Sequence, residues 1–269
     1  MSETGRRGGE RTDRRAYPIA VFDSGLGGIS VLRELRALMP AEHYLYFGDS
    51  ANAPYGTRPL AEVRALTLRC ITMLYARGIK AAVVACNTAT SAAVTLLRER
   101  FPEIPVIGME PALKPAALDH PGGTVLVLAT PLTLREEKFS HLMEHYQDGA
   151  RIVPLACPEL VEFVERGELE SEALDAYLHG RLDSYRGRAD AAVLGCTHFP
   201  VLRASIRHVL GPEVPLYDGG AGTARQTRRQ LERRGLLLDG GEAGSVRLEN
   251  SQNCSRQREL SEFLLAQIP

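Results

Sequence analysis

The sequence has almost no net charge, no long apolar run and no Cys-x-x-Cys pair. These absences argue against nucleic-acid binding, a membrane-spanning helix and a zinc site, respectively. Lys and Arg total 32 against 33 Asp and Glu, a formal net charge of -1 that gives no support for binding nucleic acid. No apolar stretch approaches the roughly 20 residues that a membrane-spanning helix needs. We therefore expect neither a nucleic-acid partner nor a membrane partner.

The N-terminal segment also lacks a feature, namely the apolar core of a secretory signal. It is rich in Gly and Arg, and we expect a disordered tail over residues 1–16. Without an export signal, the five cysteines are expected to be free thiols in a reducing cytoplasm. The composition, 44% hydrophobic and 24% charged, is that of an ordinary globular protein.

A glycine-rich turn follows the first predicted strand, yet it lacks the features of the common nucleotide-binding loops. Residues 23–28 read DSGLGG, between a strand ending near Phe22 and a helix from about Val31. Ser30 stands where a dinucleotide-binding loop has its third glycine, and no Gly-Lys-Ser/Thr ending is present. Such a turn can hold a carboxylate or phosphate on its backbone N–H groups, although a plain tight turn explains the glycines equally well.

The chain does contain a long internal repeat, with one cysteine at the same point of each copy. VVACNT at 83–88 corresponds to AVLGCTH at 192–198, and their cysteines lie 110 positions apart. PEIPV at 102–106 and PEVPL at 212–216 keep the same offset. A repeat of this length predicts a duplicated domain.

Predicted strands and helices alternate along the chain, which is typical of an α/β fold with mainly parallel sheets. With the repeat, this predicts two pseudo-symmetric lobes, each a mainly parallel sheet flanked by helices, and an active site in the cleft between them. We assign residues 17–109 and 218–269 to the first lobe and residues 110–217 to the second. A strand at 106–108 is expected to close the first half, and single helices are expected over 134–146 and 159–165 in the second. A flexible turn at 218–223 is expected to return the chain to the first lobe, before a helix near 224–234.

The two repeated cysteines, Cys86 and Cys196, are each predicted at the carboxyl end of a strand and directly before a helix. The helix N-terminus is expected to lower the thiol pKa. A free cysteine has a pKa of about 8.5, so both its acid and base forms are accessible near neutral pH. Two such groups suit inversion at a tetrahedral carbon, where one removes a proton and the other delivers a proton to the opposite face.

Polar side chains near these cysteines in the sequence offer assisting and binding groups. Asp23, at the end of the first strand, could accept a hydrogen bond from Cys86 or deprotonate it, and could contact a substrate ammonium. His198 could assist Cys196 on the other face. Neutral hydrogen bonds to a carboxylate could come from Asn87, Thr88 and Thr197.

Other interpretations stay open from the residues alone. A lone strand-end cysteine is most often a buried core thiol, and a single cysteine can also serve as a nucleophile in acyl transfer. A zinc site from Cys86, Cys196 and His198 is conceivable, but no fourth ligand is evident. The repeat favours paired proton transfer, because unrelated core cysteines would have no reason to keep the same offset.

Four ordered sequence blocks resemble those of the glutamate racemases, within the cofactor-independent aspartate/glutamate racemase superfamily. The blocks are FDSGLGG at 22–28, GDS at 48–50 with PYG at 54–56, ACNT at 85–88 and GCTH at 195–198. The resemblance covers about residues 18–218. It implies a two-lobe α/β enzyme that interconverts L- and D-glutamate without a cofactor or metal and supplies D-glutamate for peptidoglycan. Because the family is commonly dimeric, it also implies a homodimer.

The resemblance implies roles for residues at matching positions. The catalytic set would be Cys86 and Cys196 as acid/bases, with Asp23, His198 and Glu165 as assisting groups. The substrate-binding set would be Asp23, Ser24, Tyr55, Gly56, Asn87, Thr88, Thr130, Thr197 and His198. Glu159 or Glu162 could replace Glu165 as the carboxylate that supports the histidine.

One block departs from the family pattern, and the substrate stays open. ATPLT at 129–133 replaces the Gly-Thr form of many members but keeps the hydroxyls of Thr130 and Thr133. A related racemase acting on aspartate remains an alternative, since a pocket discriminates one methylene by only about 1–3 kcal/mol. A two-lobe amino-acid binder without catalysis is the other alternative.

Overall fold

The computed structural model describes residues 13–146 and 148–267, which form two parallel β-sheets flanked by helices. The strands of the first sheet are β1 (Ile19–Asp23), β2 (Tyr44–Gly48), β3 (Ala81–Val84), β4 (Val106–Gly108) and β9 (Val246–Asn250). The strands of the second sheet are β5 (Thr124–Ala129), β6 (Arg151–Ala156), β7 (Ala191–Leu194) and β8 (Leu216–Asp218).

The two sheets share one strand order, which is the structural counterpart of the sequence repeat. The first runs β4-β3-β1-β2-β9, and the second, from its opposite end, runs β8-β7-β5-β6. All neighbouring strands are parallel. β3 and β7 span positions 110 apart, as do β4 and β8. The predicted α/β class with two similar parallel sheets is confirmed, while the lobe boundaries stay a prediction.

Helices cover both faces of each sheet, as parallel sheets require. Those of the first half are α1 (Ile29–Leu38), α2 (Leu60–Ala76), α3 (Asn87–Arg100) and α4 (Leu113–Asp119). The others are α5 (Pro131–Arg135), α6 (Glu137–Tyr146), α7 (Glu159–Glu165), α8 (Glu172–Leu182), α9 (Arg203–Leu210), α10 (Gly220–Arg233) and α11 (Ser255–Ala266). Within the described ranges, no helix combines the length and apolar content that crossing a membrane requires.

Successive side chains of β1 point to opposite faces of the first sheet, and both faces are buried. Ala20 and Phe22 pack in one core with α2 and α3, while Ile19 and Val21 pack in another with α1, α10 and α11. All five residues of β1 are buried. The strand therefore reads as a continuous apolar run that ends at the buried Asp23.

Two sequence predictions need correction at helix boundaries. The glycine-rich segment 218–223 is not a flexible turn throughout, because α10 begins at Gly220. The Asp218 carboxylate accepts the Gly220 N–H at 2.9 Å, which satisfies one of the free donors of that helix end. The single helix predicted over 134–146 is divided at Glu136, which has extended backbone between α5 and α6.

The predicted disordered tail lies mostly outside the described residues, which begin at Asp13. Arg14–Ala16 form a short 3-10 helix rather than disordered chain. The carbonyl of Arg15 accepts a hydrogen bond from Lys80, whose side chain is fully buried beside the equally buried Glu42. The hydrogen bond from Lys80 therefore ties the beginning of the described chain to the residue that directly precedes β3.

Candidate active site

The chemistry-bearing residues lie at the carboxyl ends of the central strands of both sheets. Asp23 ends β1, and Cys86 follows β3 by two residues. Thr130 directly follows β5, and Cys196 follows β7 by two residues. Since β1 with β3, and β5 with β7, are neighbours in the two sheets, each lobe presents one cysteine beside its own central strand end.

The thiol of Cys86 is buried and lies at the N-terminus of α3. Its Sγ accepts a hydrogen bond from the Ala89 N–H at 3.4 Å and lies 3.3 Å from the Ser24 hydroxyl. Burial, together with the negative charge of Asp23, raises the pKa of Cys86 to about 12. The expected lowering by the helix end is therefore wrong for this thiol, because desolvation outweighs the hydrogen bonds that favour the thiolate.

Asp23 does not bond to Cys86 as predicted, because its carboxylate has other partners. It accepts hydrogen bonds from the Gly25 N–H and from the Thr197 hydroxyl, both at 2.9 Å. Burial raises the pKa of Asp23, although the charge of His198 acts in the opposite direction. The bond to Thr197 joins the first lobe to the segment that carries Cys196.

The second thiol has a histidine as its partner. His198 Nδ1 lies 3.7 Å from the Cys196 Sγ, and its Nε2 lies 2.7 Å from a carboxylate oxygen of Glu165. Burial alone would lower the pKa of His198, but Cys196 and Glu165 outweigh it and hold this pKa well above its usual value. The imidazole is therefore poised to be cationic beside the sulfur of Cys196.

Glu165 is the carboxylate that supports His198, as the resemblance implies. Its sequence alternatives have other partners, since Glu162 pairs with Arg166 and Glu159 accepts from Tyr177. Glu165, at the end of α7, has only 13% of its side chain exposed. The geometry thus distinguishes three acidic residues that the sequence alone could not separate.

Glu165 also contacts the first lobe. It accepts the Leu26 N–H at 2.6 Å and the Ser50 hydroxyl at 2.7 Å. The glycine-rich turn is therefore a seat for a carboxylate, but in this structure it holds the protein's own Glu165. A Cβ at Gly25 would lie 1.9 Å from that carboxylate, and one at Gly27 would lie 2.4 Å from His198. Close approach of the second lobe is the physical reason for these glycines.

Three threonine hydroxyls form a second contact between the lobes. Thr88 lies 3.0 Å from Thr130 and 3.1 Å from Thr133, and the latter two are 3.0 Å apart. Gly56 packs against the same cluster, where a Cβ would meet Thr130 at 2.4 Å. Thr133 was outside the predicted site set, although the sequence block at 129–133 already displayed its hydroxyl.

Asn87 is the one predicted binding residue whose polar atoms have no partner in the protein. Both Nδ2 and Oδ1 are buried without a hydrogen bond, and the residue is 3% exposed. An unpaired buried polar group costs about 1–3 kcal/mol. Such a side chain is the arrangement expected of a ligand-binding group.

Tyr55 stays a predicted binding residue, and its environment shows a residue that sequence reasoning missed. Its ring is buried, but its hydroxyl donates to Asp49 at 2.7 Å within the first lobe. Asp49 also accepts from Asn52, so it fixes the loop that brings Tyr55 and Gly56 to the lobe contact. The signal for Asp49 and Ser50 was the GDS block at 48–50.

The two thiols and the residues beside Cys196 are almost completely shielded from solvent. Cys86 and Cys196 are 4% and 7% exposed, and Thr197 and His198 are each 1% exposed. Both ring nitrogens of His198 face protein groups, and no cluster of three potential metal ligands occurs in the described part of the chain. The arrangement conceivable as a zinc site from sequence is therefore not formed by these residues.

Comparisons with known proteins agree with this geometry. Residues 27–227 match the family model described as Asp/Glu/Hydantoin racemase. The chain is 46% identical over 254 residues to a protein named glutamate racemase from Clostridium botulinum (strain Alaska E43 / Type E3), a match covering 94% of this chain and 98% of the relative.

Solved structures give the same result. Glutamate racemase from Francisella tularensis subsp. tularensis SCHU S4, in complex with D-glutamate, superposes with a TM-score of 0.81 at 27% identity, covering 94% of this chain and 95% of that one. Escherichia coli glutamate racemase, in complex with L-glutamate and the activator UDP-MurNAc-ala, gives 0.78 at 32% identity, covering 93% and 92%. With the family match extending across both cysteine segments, the chain belongs to the Asp/Glu/hydantoin racemase family.

Proposed function

We propose that this isomerase racemises glutamate by proton transfer at Cα, with Cys86 and Cys196 as its two acid/base groups. The observation that carries the proposal is the placement of two thiols at equivalent strand ends of duplicated sheets, each with its own polar partners. The similarity to glutamate racemases over most of the chain supports glutamate as the substrate.

The two thiols have different neighbours, and this difference suits one direction of the racemisation. Cys86 has a pKa raised to about 12 by burial and by Asp23, so it is a thiol at neutral pH and a proton donor. Cys196 instead faces the imidazole of His198, and we assign it the role of proton acceptor in this direction. Cys196 would remove the Cα proton while Cys86 delivers its proton to the opposite face. The reverse conversion would exchange these roles.

The carboxylates and the ammonium of the substrate would be bound by side chains that have no protein partner or that can exchange one. The amide of Asn87 offers a donor and an acceptor that are buried and unpaired. The hydroxyls of Thr88 and Thr197 lie nearby at the lobe contact and can exchange a protein partner for a carboxylate oxygen. The buried carboxylate of Asp23 would accept a hydrogen bond from the substrate ammonium.

Access to these groups requires the lobes to separate. A residue with 4% exposure, such as Cys86, does not meet a dissolved amino acid without movement. The contacts that must open are the Asp23–Thr197 bond, the Glu165 bonds to the first lobe and the Thr88–Thr130 contact. Closure after binding would exclude water from the two thiols during proton transfer.

The biological setting is part of the same proposal. We infer that the product is D-glutamate for peptidoglycan, that the protein acts in the cytoplasm and that it is a homodimer of the two-lobe chain. The lobe division at 109/110 and 217/218 belongs to it as well, supported by β9 joining the first sheet and β8 the second.

The test uses metal-free and pyridoxal-free protein with L-glutamate in deuterated water. Circular dichroism and the Cα–H proton signal are followed together. Loss of dichroism with deuterium entering at Cα is the expected result. Parallel reactions with L-aspartate test the substrate, and faster turnover of aspartate would replace glutamate in the proposal. Tight glutamate binding without Cα–H exchange would overturn catalysis itself.

A further inference from the structure

Glu165 makes hydrogen bonds to residues of both lobes. From its own lobe it bonds to His198, which in turn faces Cys196. From the first lobe it accepts the Leu26 N–H and the Ser50 hydroxyl. A carboxylate with three partners is held in one geometry, and separation of the lobes would remove two of the three.

Ser50 is itself positioned by the C-terminal part of the chain. Its hydroxyl donates to Glu165 and accepts from the Asn250 amide at 2.8 Å. Its carbonyl accepts a second hydrogen bond, from the Gln252 side chain at 3.2 Å. Because Asn250 ends β9, the hydrogen-bonded series runs from the edge strand of the first sheet through Ser50 and Glu165 to the second thiol.

We propose that Ser50, held by Asn250, is a positioning residue for proton transfer that acts through Glu165 on the His198–Cys196 pair. The inference rests on the proposed function, and it adds the coupling of lobe closure to the chemistry of one thiol. Ser50 touches neither thiol in this arrangement, so its effect reaches Cys196 only through Glu165 and His198.

The direction of the effect follows from electrostatics. A hydrogen bond to a carboxylate stabilises its ionised form. Without the Ser50 hydroxyl, the charge of the Glu165 carboxylate is less compensated, and it raises the pKa of His198 further. The other charged groups that face His198 are Cys196 and Asp23, and Ser50 contacts neither. The basic limb of kcat/KM, on which the imidazolium of His198 loses its proton, should therefore move to higher pH.

The primary experiment compares Ser50→Ala with wild type in the deuterium-exchange and dichroism assay across pH. Removing a hydrogen bond to a charged group should lower kcat by about tenfold to a hundredfold. Ser50→Thr keeps a hydroxyl and should recover most of the rate. Ser251→Ala is the matched control. Ser251 is exposed, and its hydroxyl accepts a hydrogen bond from the Ala51 N–H, not from a site residue.

A second variant keeps the test valid if Ser50→Ala does not fold. Asn250→Asp keeps the size of the side chain and an oxygen to accept the Gln252 N–H. It replaces the amide donor by an acceptor, so the Ser50 hydroxyl would turn from Glu165 towards the new carboxylate. A lower kcat with the same shift of the basic limb to higher pH is expected.

The outcomes separate the two proposals. An inactive wild-type protein would overturn the proposed function. An active wild type, with folded Ser50→Ala and Asn250→Asp variants that keep its kcat and pH profile, would overturn the inference alone. So would a loss of rate that Ser50→Thr does not recover and that simply follows a lower melting temperature, because a purely structural role predicts that result.

Discussion

Replacing Gly27 by alanine should hold the two lobes apart at His198. The added methyl group would lie 2.4 Å from Nδ1 of His198 and 2.6 Å from its backbone nitrogen. Ordinary contact begins at 3.4 Å, so the nearest atoms must separate by about 1 Å. Rotation of the imidazole cannot relieve the backbone contact, and the second lobe must therefore shift.

A shift of this size has a predictable cost for proton transfer. Misplacement by about 1 Å can reduce a rate by about a hundredfold, and here it would move His198 relative to Cys196 and Glu165. We expect Gly27→Ala to lower kcat/KM for glutamate by about that factor, measured by circular dichroism. Retention of activity within about threefold of wild type would refute the packing argument.

A matched glycine substitution controls for general effects. Gly180 lies on α8, and a Cβ there would meet no atom within 4 Å. Gly180→Ala should leave the rate unchanged and stabilise the helix by up to about 1 kcal/mol. A similar loss of activity in both variants would show that close approach of the lobes is not the cause.

Two further predictions concern stability. Lys80→Met leaves the fully buried Glu42 carboxylate without its cation and should cost about 3–5 kcal/mol in urea unfolding; a cost below about 1 kcal/mol would contradict the buried pair. Folding raises the pKa of Cys86 from 9.0 to about 12. Between these two pH values the thiol is ionised in the unfolded chain but not in the folded one, so the free energy of unfolding should fall as pH rises. Wild type should lose about 2 kcal/mol more than Cys86→Ala between pH 8 and 10.5, and equal losses would contradict the raised pKa.

Much of the fold was predictable because its signals are local. The apolar runs that end in Cys86 and Cys196 are short buried strands, and their common offset gave the duplicated architecture. The helix over Glu159–Glu165 and the strand Val106–Gly108 have the bounds that the sequence indicated. Each of these depends on neighbours within a few residues, or on repetition that the sequence displays directly.

The sequence indicated candidate site residues but could not indicate their contacts. Which of three acidic residues supports His198 depends on how α7 packs against the first lobe, and periodicity does not encode this. The Gly25–Gly28 turn signalled a carboxylate seat, but its occupant, Glu165, lies about 140 positions away. The raised pKa of Cys86 follows from burial between the lobes, which acts against the helix end that the sequence did show.

The most direct test of the account is a comparison of Cys86→Ser and Cys196→Ser with wild type, using L- and D-glutamate separately in deuterated water. The wild-type protein should convert either enantiomer with deuterium entering at Cα. Each serine variant should remain folded, bind glutamate and lose racemisation of both enantiomers, because inversion needs an acid and a base on opposite faces. Full turnover by either variant would contradict the two-thiol mechanism.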